Sequence, residues 1–530
     1  MATSASPTVV PAGKVMATLA ASSLGRIGVT GSSLSALAPL TVVAGGATLG
    51  YALLGTTGIP VAYIAIGFAL TLFAAGYTAM ARKITNTGAL YTFITRGIGR
   101  ITGVAAAFVA VPAYFLMTVG LIGGFGAVAS GMVADYLGWN VPWWVFAAVA
   151  LVVAGFFGTR RIDLNGWVLG ILLLGEIIVA VVYAIVQVAH PAGGHVSTEA
   201  LAPRHLLDGE AGAALVVAIT GFVGFESTVA FSEESKDPRR TVPHATYLVL
   251  GIGSLLYAGC SWAMSVAAGP DNIVAAAQGD GSELIFTLVQ PHVAGPVILF
   301  GRLLFLTSLF AATLSFHNID ARYMFALGRE GVVWRRLGRT APKNLAPRAA
   351  SLTLSVLSAA VVVLYGFAGW NPMINMFFWL TVVAGFGILI LLAATTISVL
   401  AYFSHSHRRR ADYAENGAAG TVIAGATTST GRPARDVSWW SWPLAPGIAA
   451  VLLLVIVVLT VQQFHLMLGV DAHSPLRWVF TAGYAVPALL GAIWASVLRA
   501  RKSDVYQGIG FGARSPIAQA GEPLVAGVAR

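Results

Sequence analysis

The feature that most constrains this chain is the repetition of long apolar runs. Twelve segments of about 20 residues lie near 30–53, 59–81, 102–134, 141–158, 165–189, 211–232, 244–268, 294–318, 349–368, 372–402, 443–464 and 477–498. Each is long enough to cross the roughly 30 Å hydrocarbon core of a bilayer as a helix. Lipid offers no partner to open backbone N–H and C=O groups, so helices are the economical way to span it. With 57% hydrophobic and 10% charged residues, the chain also falls far below the roughly one quarter charged residues of soluble domains. These observations predict an all-α polytopic membrane protein with about twelve transmembrane helices.

Successive spans alternate sides, so the connecting segments can be tested for the Lys and Arg excess of cytosolic loops. One side carries Lys14 and Arg26, the group from Arg82 to Arg100, Arg160 and Arg161, Lys236 to Arg240, Arg322 to Arg348, Arg408 to Arg435, and Arg499 to Arg530. Together these are 28 of the 31 basic residues, leaving Arg204, Arg302 and Arg477. The pattern predicts an N-in, C-in, multi-pass protein of the plasma membrane. It also accounts for the formal charge of +10 without a nucleic-acid partner, which would need the cations gathered on one soluble face.

Residues 1 to about 26 are polar and small, and the apolar stretch after them exceeds the roughly 7–15 residue core of a cleavable signal peptide. Span one is therefore expected to stay as an anchor. The segment 404–438 opens SHSHRRR and continues in Gly, Ala, Thr and Ser, a composition with too little apolar surface to offset ordering entropy. It reads as a flexible cytosolic loop. The single cysteine, Cys260, allows no intramolecular disulfide and sits in an apolar run as a small hydrophobe. Trp139, Trp143, Trp144, Trp439, Trp440 and Trp442 flank span boundaries, where amphipathic rings anchor a helix.

Two spans carry helix-breaking residues at corresponding places. Span one, SALAPLTVVAGGATLGYALLG, puts Pro39, Thr41, Gly45 and Gly46 in mid-membrane; span six, ALVVAITGFVGFESTVAF, holds Gly221, Gly224 and Glu226. An opened helix presents free N–H groups at one half's start and free carbonyls at the other's end, which suits a carboxylate, an amine or a cation. Interrupted spans five apart point to a five-plus-five inverted repeat with its site at the midplane.

Three stretches resemble the amino acid–polyamine–organocation permeases: GFVGFESTVAFSEESKDPRRTVPHA at 221–245, YTAMARKITNTGALYTFITRGIGR at 77–100 and FHNIDARYMFALGREGVVW at 316–334. The resemblance covers roughly 26–405 and implies a leucine-transporter-like fold. Its expected organisation is a cytosolic tail (1–26), one repeat over spans one to five (27–189) and a second over spans six to ten (190–403). The cytosolic loop 404–438, two peripheral spans (439–499) and a cytosolic tail (500–530) follow. It also implies an amino acid or amine held by the two breaks against spans three, eight and ten. Thr41, Ala44, Gly45 and Gly46 would line the first break, with N–H groups near Gly45 and Gly46 taking a carboxylate. Thr220, Gly221, Phe222 and Gly224 would line the second, its carbonyls taking an amine, and Phe222 or Phe225 resembles an aromatic gate. The Thr220 neighbourhood has no tryptophan, a departure from guanidinium-stacking exchangers.

Glu226 and Glu176 are ionisable groups within spans six and five, and an intramembrane carboxyl is a functional candidate because burying it unpaired is costly. Either is a candidate for proton coupling. Thr307 and Ser308 form a hydroxyl pair of the kind a sodium site uses, the alternative coupling arrangement. Arg302 is expected to pair with a carboxylate such as Glu283 or to snorkel, and His317 and Asn318 to end span eight. No cofactor or other metal site is expected. The composite expectation is a proton-coupled, alternating-access amino acid permease, with a polyamine permease or an exchanger as alternatives. An intramembrane enzyme would need a nucleophile and base in one cavity, and the chain offers only His317 well inside the spans. A transporter-derived sensor would need a folded loop domain longer than any loop present.

Overall fold

The computed structural model describes residues 25–84, 86–159, 162–341, 346–415 and 438–512; side chains of 162–169 and 406–415 are left undescribed. Among these residues the fold is helical without strands, and eleven helices are long and apolar enough to cross a membrane. A twelfth apolar helix, Trp143–Gly158, has 16 residues, about 24 Å at 1.5 Å per residue and so short of the full core. Together they are the twelve segments read from the sequence. The cytosolic loop expected over 404–438 and both chain ends fall largely outside the described residues.

Several boundaries differ from the apolar runs. Span eight continues to Arg329 as Gly295–Arg329, so His317 and Asn318 lie inside the helix and do not end it. The apolar run stops earlier than the helix because the last turns face protein rather than lipid: Asp320, Arg322 and Arg329 are all buried. Span ten begins with a wide-turn segment, Pro372–Phe378, started by the Asn371 side chain, which accepts from the Met373 and Ile374 N–H groups at 2.9 and 3.0 Å. Past span twelve, a short helix Ser503–Gly508 follows where the sequence suggested only a tail.

Packing rests on small residues. Span three, Arg100–Leu137, lies against span ten so closely that a Cβ at Gly123 would sit 2.6 Å from Met376, the approach that membrane helices use in place of a hydrophobic driving force. Arg302 sits with its Nε 2.8 Å from Glu283 and its Nη1 donating to Tyr136 at 3.1 Å. Trp139, Trp144, Trp439 and Trp440 are exposed, as boundary anchors are, whereas Trp442 donates to the Leu400 carbonyl.

Candidate functional site

Span one is interrupted because Ala38 precedes a proline. Pro39 lacks an N–H and crowds the α conformation of the residue before it, and Ala38 adopts φ 44°. The helix Arg26–Leu37 stops there, and the chain resumes as a wide-turn segment, Thr41–Ala47, before Thr48–Leu54. The freed groups find side-chain partners: the Leu37 carbonyl accepts from Tyr257 Oη at 2.9 Å, and the Thr41 N–H donates to Ser308 Oγ at 3.2 Å.

Span six breaks after Ala211–Phe222. Val223 is extended, Gly224 takes φ 113°, and helix returns over Ser227–Ala230. Gly224 is required twice over, since a Cβ would lie 2.8 Å from Ala36 on span one and the positive φ excludes most L side chains. The two breaks therefore touch, and Ser227 Oγ donates to Ser33 Oγ at 2.9 Å.

Between them is a cavity with about 510 Å³ of non-atom space counted out to its mouth, open solvent included. Of the site residues expected from sequence, Thr41, Gly46, Thr220 and Gly221 line it. Ala44, Gly45, Phe222, Gly224 and Phe225 do not. Gly45 is covered by Phe377, Phe222 packs edge-on against Tyr63 and Tyr257, and Phe225 packs on Phe73 and Tyr77 behind the break. The aromatic rings on the cavity are instead Tyr63, Phe316, Phe377 and Phe378. Tyr63 Oη has no hydrogen-bond partner among the described residues, an open donor that sequence reading missed although a tyrosine in the apolar run of span two calls for a partner.

The lining is otherwise apolar. The Thr220 and Thr381 hydroxyls donate to their own helices, at Val216 and Phe377, and no acidic side chain belongs to the wall.

Both intramembrane glutamates are buried just outside this wall. Glu226 Oε1 accepts from Tyr114 Oη at 2.7 Å and Oε2 from the Gly224 N–H at 3.0 Å, so its carboxylate ties the span-six break to span three. Glu176 Oε2 accepts from Ser308 Oγ at 2.6 Å, and that oxygen accepts from both the N–H and Oγ1 of Thr41. A continuous chain thus joins span five, span eight and the cavity-lining Thr41. Thr307 takes no part, donating to Leu304 of its own helix. His317 Nε2 lies 2.8 Å from Ser351 Oγ of span nine, a pair packed against Gly158, whose Cβ would lie 2.6 Å from that serine and 2.8 Å from the imidazole, leaving no room for a substrate.

The side bearing the basic loops is bridged by ion pairs that were not singled out in the sequence. Arg322 donates to both oxygens of Glu234 at 2.8 and 3.2 Å, and Arg329 to both oxygens of Glu233 at 2.9 and 2.8 Å. Glu330 accepts from Tyr91 Oη and from the N–H groups of Gly510 and Gly512, docking the segment after span twelve. The signal was present in FSEESK and ALGREG, acids and arginines at the ends of apolar runs.

Two interrupted helices meeting at a central cavity, among twelve apolar helices in the described residues, define a membrane protein of the leucine-transporter-like class. The chain belongs to the amino acid permease family, whose model matches residues 16–484. It is 25% identical over 283 residues to the low-affinity putrescine importer PlaP of Escherichia coli, covering 52% of this chain and 60% of that protein. It is 22% identical over 330 residues to the branched-chain amino acid permease BcaP of Lactococcus lactis (59% of this chain, 69% of the relative). The counterpart in Bacillus subtilis is 23% identical over 355 residues (60% and 72%).

Proposed function

We propose that this protein is a secondary active transporter of neutral, apolar amino acids, working by alternating access in the plasma membrane with both termini cytosolic and driven by protons. The observation that carries the substrate class is the composition of the cavity wall. A diamine needs an acceptor of negative charge at each end, because an unpaired ammonium in an apolar cavity is costly, and no carboxylate lines this one. The carboxylate of an amino acid finds the start of the second half of span one, its ammonium the carbonyl end of Ala211–Phe222, and its side chain the rings of Phe316, Phe377 and Phe378. One relative is named for branched-chain amino acids and another for putrescine, so the two readings divide on this wall.

The test is uptake into proteoliposomes. Labelled leucine, isoleucine or valine is expected to accumulate saturably under an imposed inward proton gradient and to be displaced by apolar amino acids but not by putrescine. Uptake displaced by putrescine alone would assign the amine reading, and no saturable uptake of either would refute transport of both classes. For orientation, reporters at Arg530 and within 412–435 are expected to read cytosolic and one near Gly194 external.

A further inference from the structure

The basic side of the molecule carries an open groove between spans two and seven that plays no part in the central cavity. It is lined by Arg82, just past the end of span two (Ile59–Ala81), and by Arg239, Arg240, Pro243, His244, Tyr247 and Leu248 in the first turns of span seven (Pro238–Ala268). The three arginines are exposed, and among the described residues their ion pair is that of Arg240 Nε with Asp237 Oδ2 at 3.9 Å, open to solvent. Lys83 and Lys236 lie beside the groove, also exposed. Three guanidiniums thus converge with an imidazole and little to neutralise them.

The face continues downward. Arg240, His244, Tyr247, Leu248, Gly251 and Leu255 are all exposed at spacings that keep them on one side of the span-seven helix. The stripe changes from cationic at the membrane boundary to apolar deeper in, and the space over Gly251 is open, a Cβ there meeting nothing within 4 Å.

We infer that this groove binds an anionic phospholipid, its phosphate held by Arg82, Arg239 and Arg240 and one acyl chain laid along Leu248, Gly251 and Leu255. The apolar continuation selects the lipid over free phosphate: an inorganic anion uses only the upper half of the surface, whereas a phospholipid matches its whole length. Guanidinium forks suit phosphate oxygens, and basic pockets between spans at the cytosolic boundary bind such headgroups. Spans two and seven pack directly on each other and flank the two broken helices, so a lipid wedged between their ends stiffens the part of the bundle that holds the cavity.

The full-length protein is reconstituted in nanodiscs of phosphatidylcholine alone or with phosphatidylglycerol, and in phosphatidylcholine nanodiscs with inorganic phosphate. Its thermal unfolding is followed, and co-purified lipid is counted by native mass spectrometry. Phosphatidylglycerol is expected to raise the unfolding temperature and to be retained in preference to phosphatidylcholine. Arg82→Gln/Arg239→Gln/Arg240→Gln should abolish both effects, while Arg335→Gln/Arg336→Gln, which removes charge from the same side away from the groove, keeps them. Equal retention of the two lipids, an unchanged response in the triple variant, or the same stabilisation by inorganic phosphate would each overturn the assignment. The readout does not depend on transport.

Discussion

Arg322→Met is expected to cost this protein more than the simultaneous change Arg322→Met/Glu234→Leu. The pair is bidentate at 2.8 and 3.2 Å, with side chains only 6% and 4% exposed. Arg322 also donates to the Asn318 carbonyl at 2.9 Å, and its guanidinium stacks 4.9 Å from the Phe231 ring centroid. Removing the cation alone leaves the Glu234 carboxylate buried without its partner, a loss of about 3–5 kcal/mol. Methionine is unbranched and fills much of the space of the arginine stem, so little of that cost is packing. Removing both charges for apolar groups of similar reach returns most of it, because the desolvation of the pair is no longer required. The assay is a thermal and denaturant unfolding series on wild type, both singles and the double in one detergent, read as a double-mutant cycle. A double variant as damaged as Arg322→Met, or a single within about 0.5 kcal/mol of wild type, the range of an ordinary surface change, would refute the reasoning.

Gly46→Val should leave the protein folded and weaken substrate binding at least about tenfold, or about 1.4 kcal/mol, as measured by ligand-induced thermal shift. A Cβ at Gly46 has its nearest neighbour 3.8 Å away at Tyr63 Oη, so the added methyl groups enter the cavity rather than the packing. Glu176→Gln should keep counterflow of labelled substrate while losing accumulation driven by an imposed pH gradient, whereas Glu226→Gln should lower stability through the Gly224 and Tyr114 bonds; normal accumulation by both would place the proton elsewhere. Glu233 is also a pH handle: burial pushes its carboxyl up, but the Arg329 hydrogen bonds and charge, with the Thr87 N–H, outweigh it and hold the group below the ordinary range. A depressed carboxyl stabilises fully above its unfolded value near about 4.3 and loses that contribution as pH falls through the folded value. The stability gap between wild type and Glu233→Gln should thus stay level from about pH 6 to 8 and narrow only in acid below about pH 4, as followed by denaturant unfolding.

The spans were legible because lipid imposes one rule on every residue in a run, and an apolar stretch answers it locally. The break in span one was legible for the same reason: Pro39 states a local prohibition, although the residue that turns is its neighbour Ala38. What could not be read was which side chains the fold brings together. Ser308 serves Glu176 from 132 positions away, and the sequence offered it only as half of a hydroxyl pair with Thr307. Phe222 and Phe225 look like gate residues by position, yet their rings turn away from the cavity because Tyr257 and Tyr77 offer aromatic packing behind the break. The docking of residues after span twelve was hidden because Ser503–Gly508 is short and polar; its cue was the alternation of Gly508, Gly510 and Gly512, two of which need positive φ, 81° and 57°.

The proposed division of work between the two glutamates follows from counting hydrogen-bond capacity. Glu226 bonds to an N–H two residues away and to Tyr114, so it reports on the span-six break alone. Glu176 reaches the other break through Ser308 Oγ and the Leu40 N–H. Ser308 Oγ has one proton and two lone pairs; the proton goes to Glu176, and the lone pairs take the N–H and Oγ1–H of Thr41. That oxygen is fully used while the carboxyl is ionised. A proton on Glu176 Oε2 presents a third donor to an oxygen with two lone pairs and strands the Ser308 proton; a proton on Oε1 creates a new buried O–H that needs an acceptor of its own. An unmet buried donor costs about 1–3 kcal/mol, so either course favours rearrangement around Thr41, whose N–H is held by Ser308 in this structure. In the proposed cycle protonation and substrate act on the same backbone segment, and the shift each would produce is set by its differential affinity for the two arrangements.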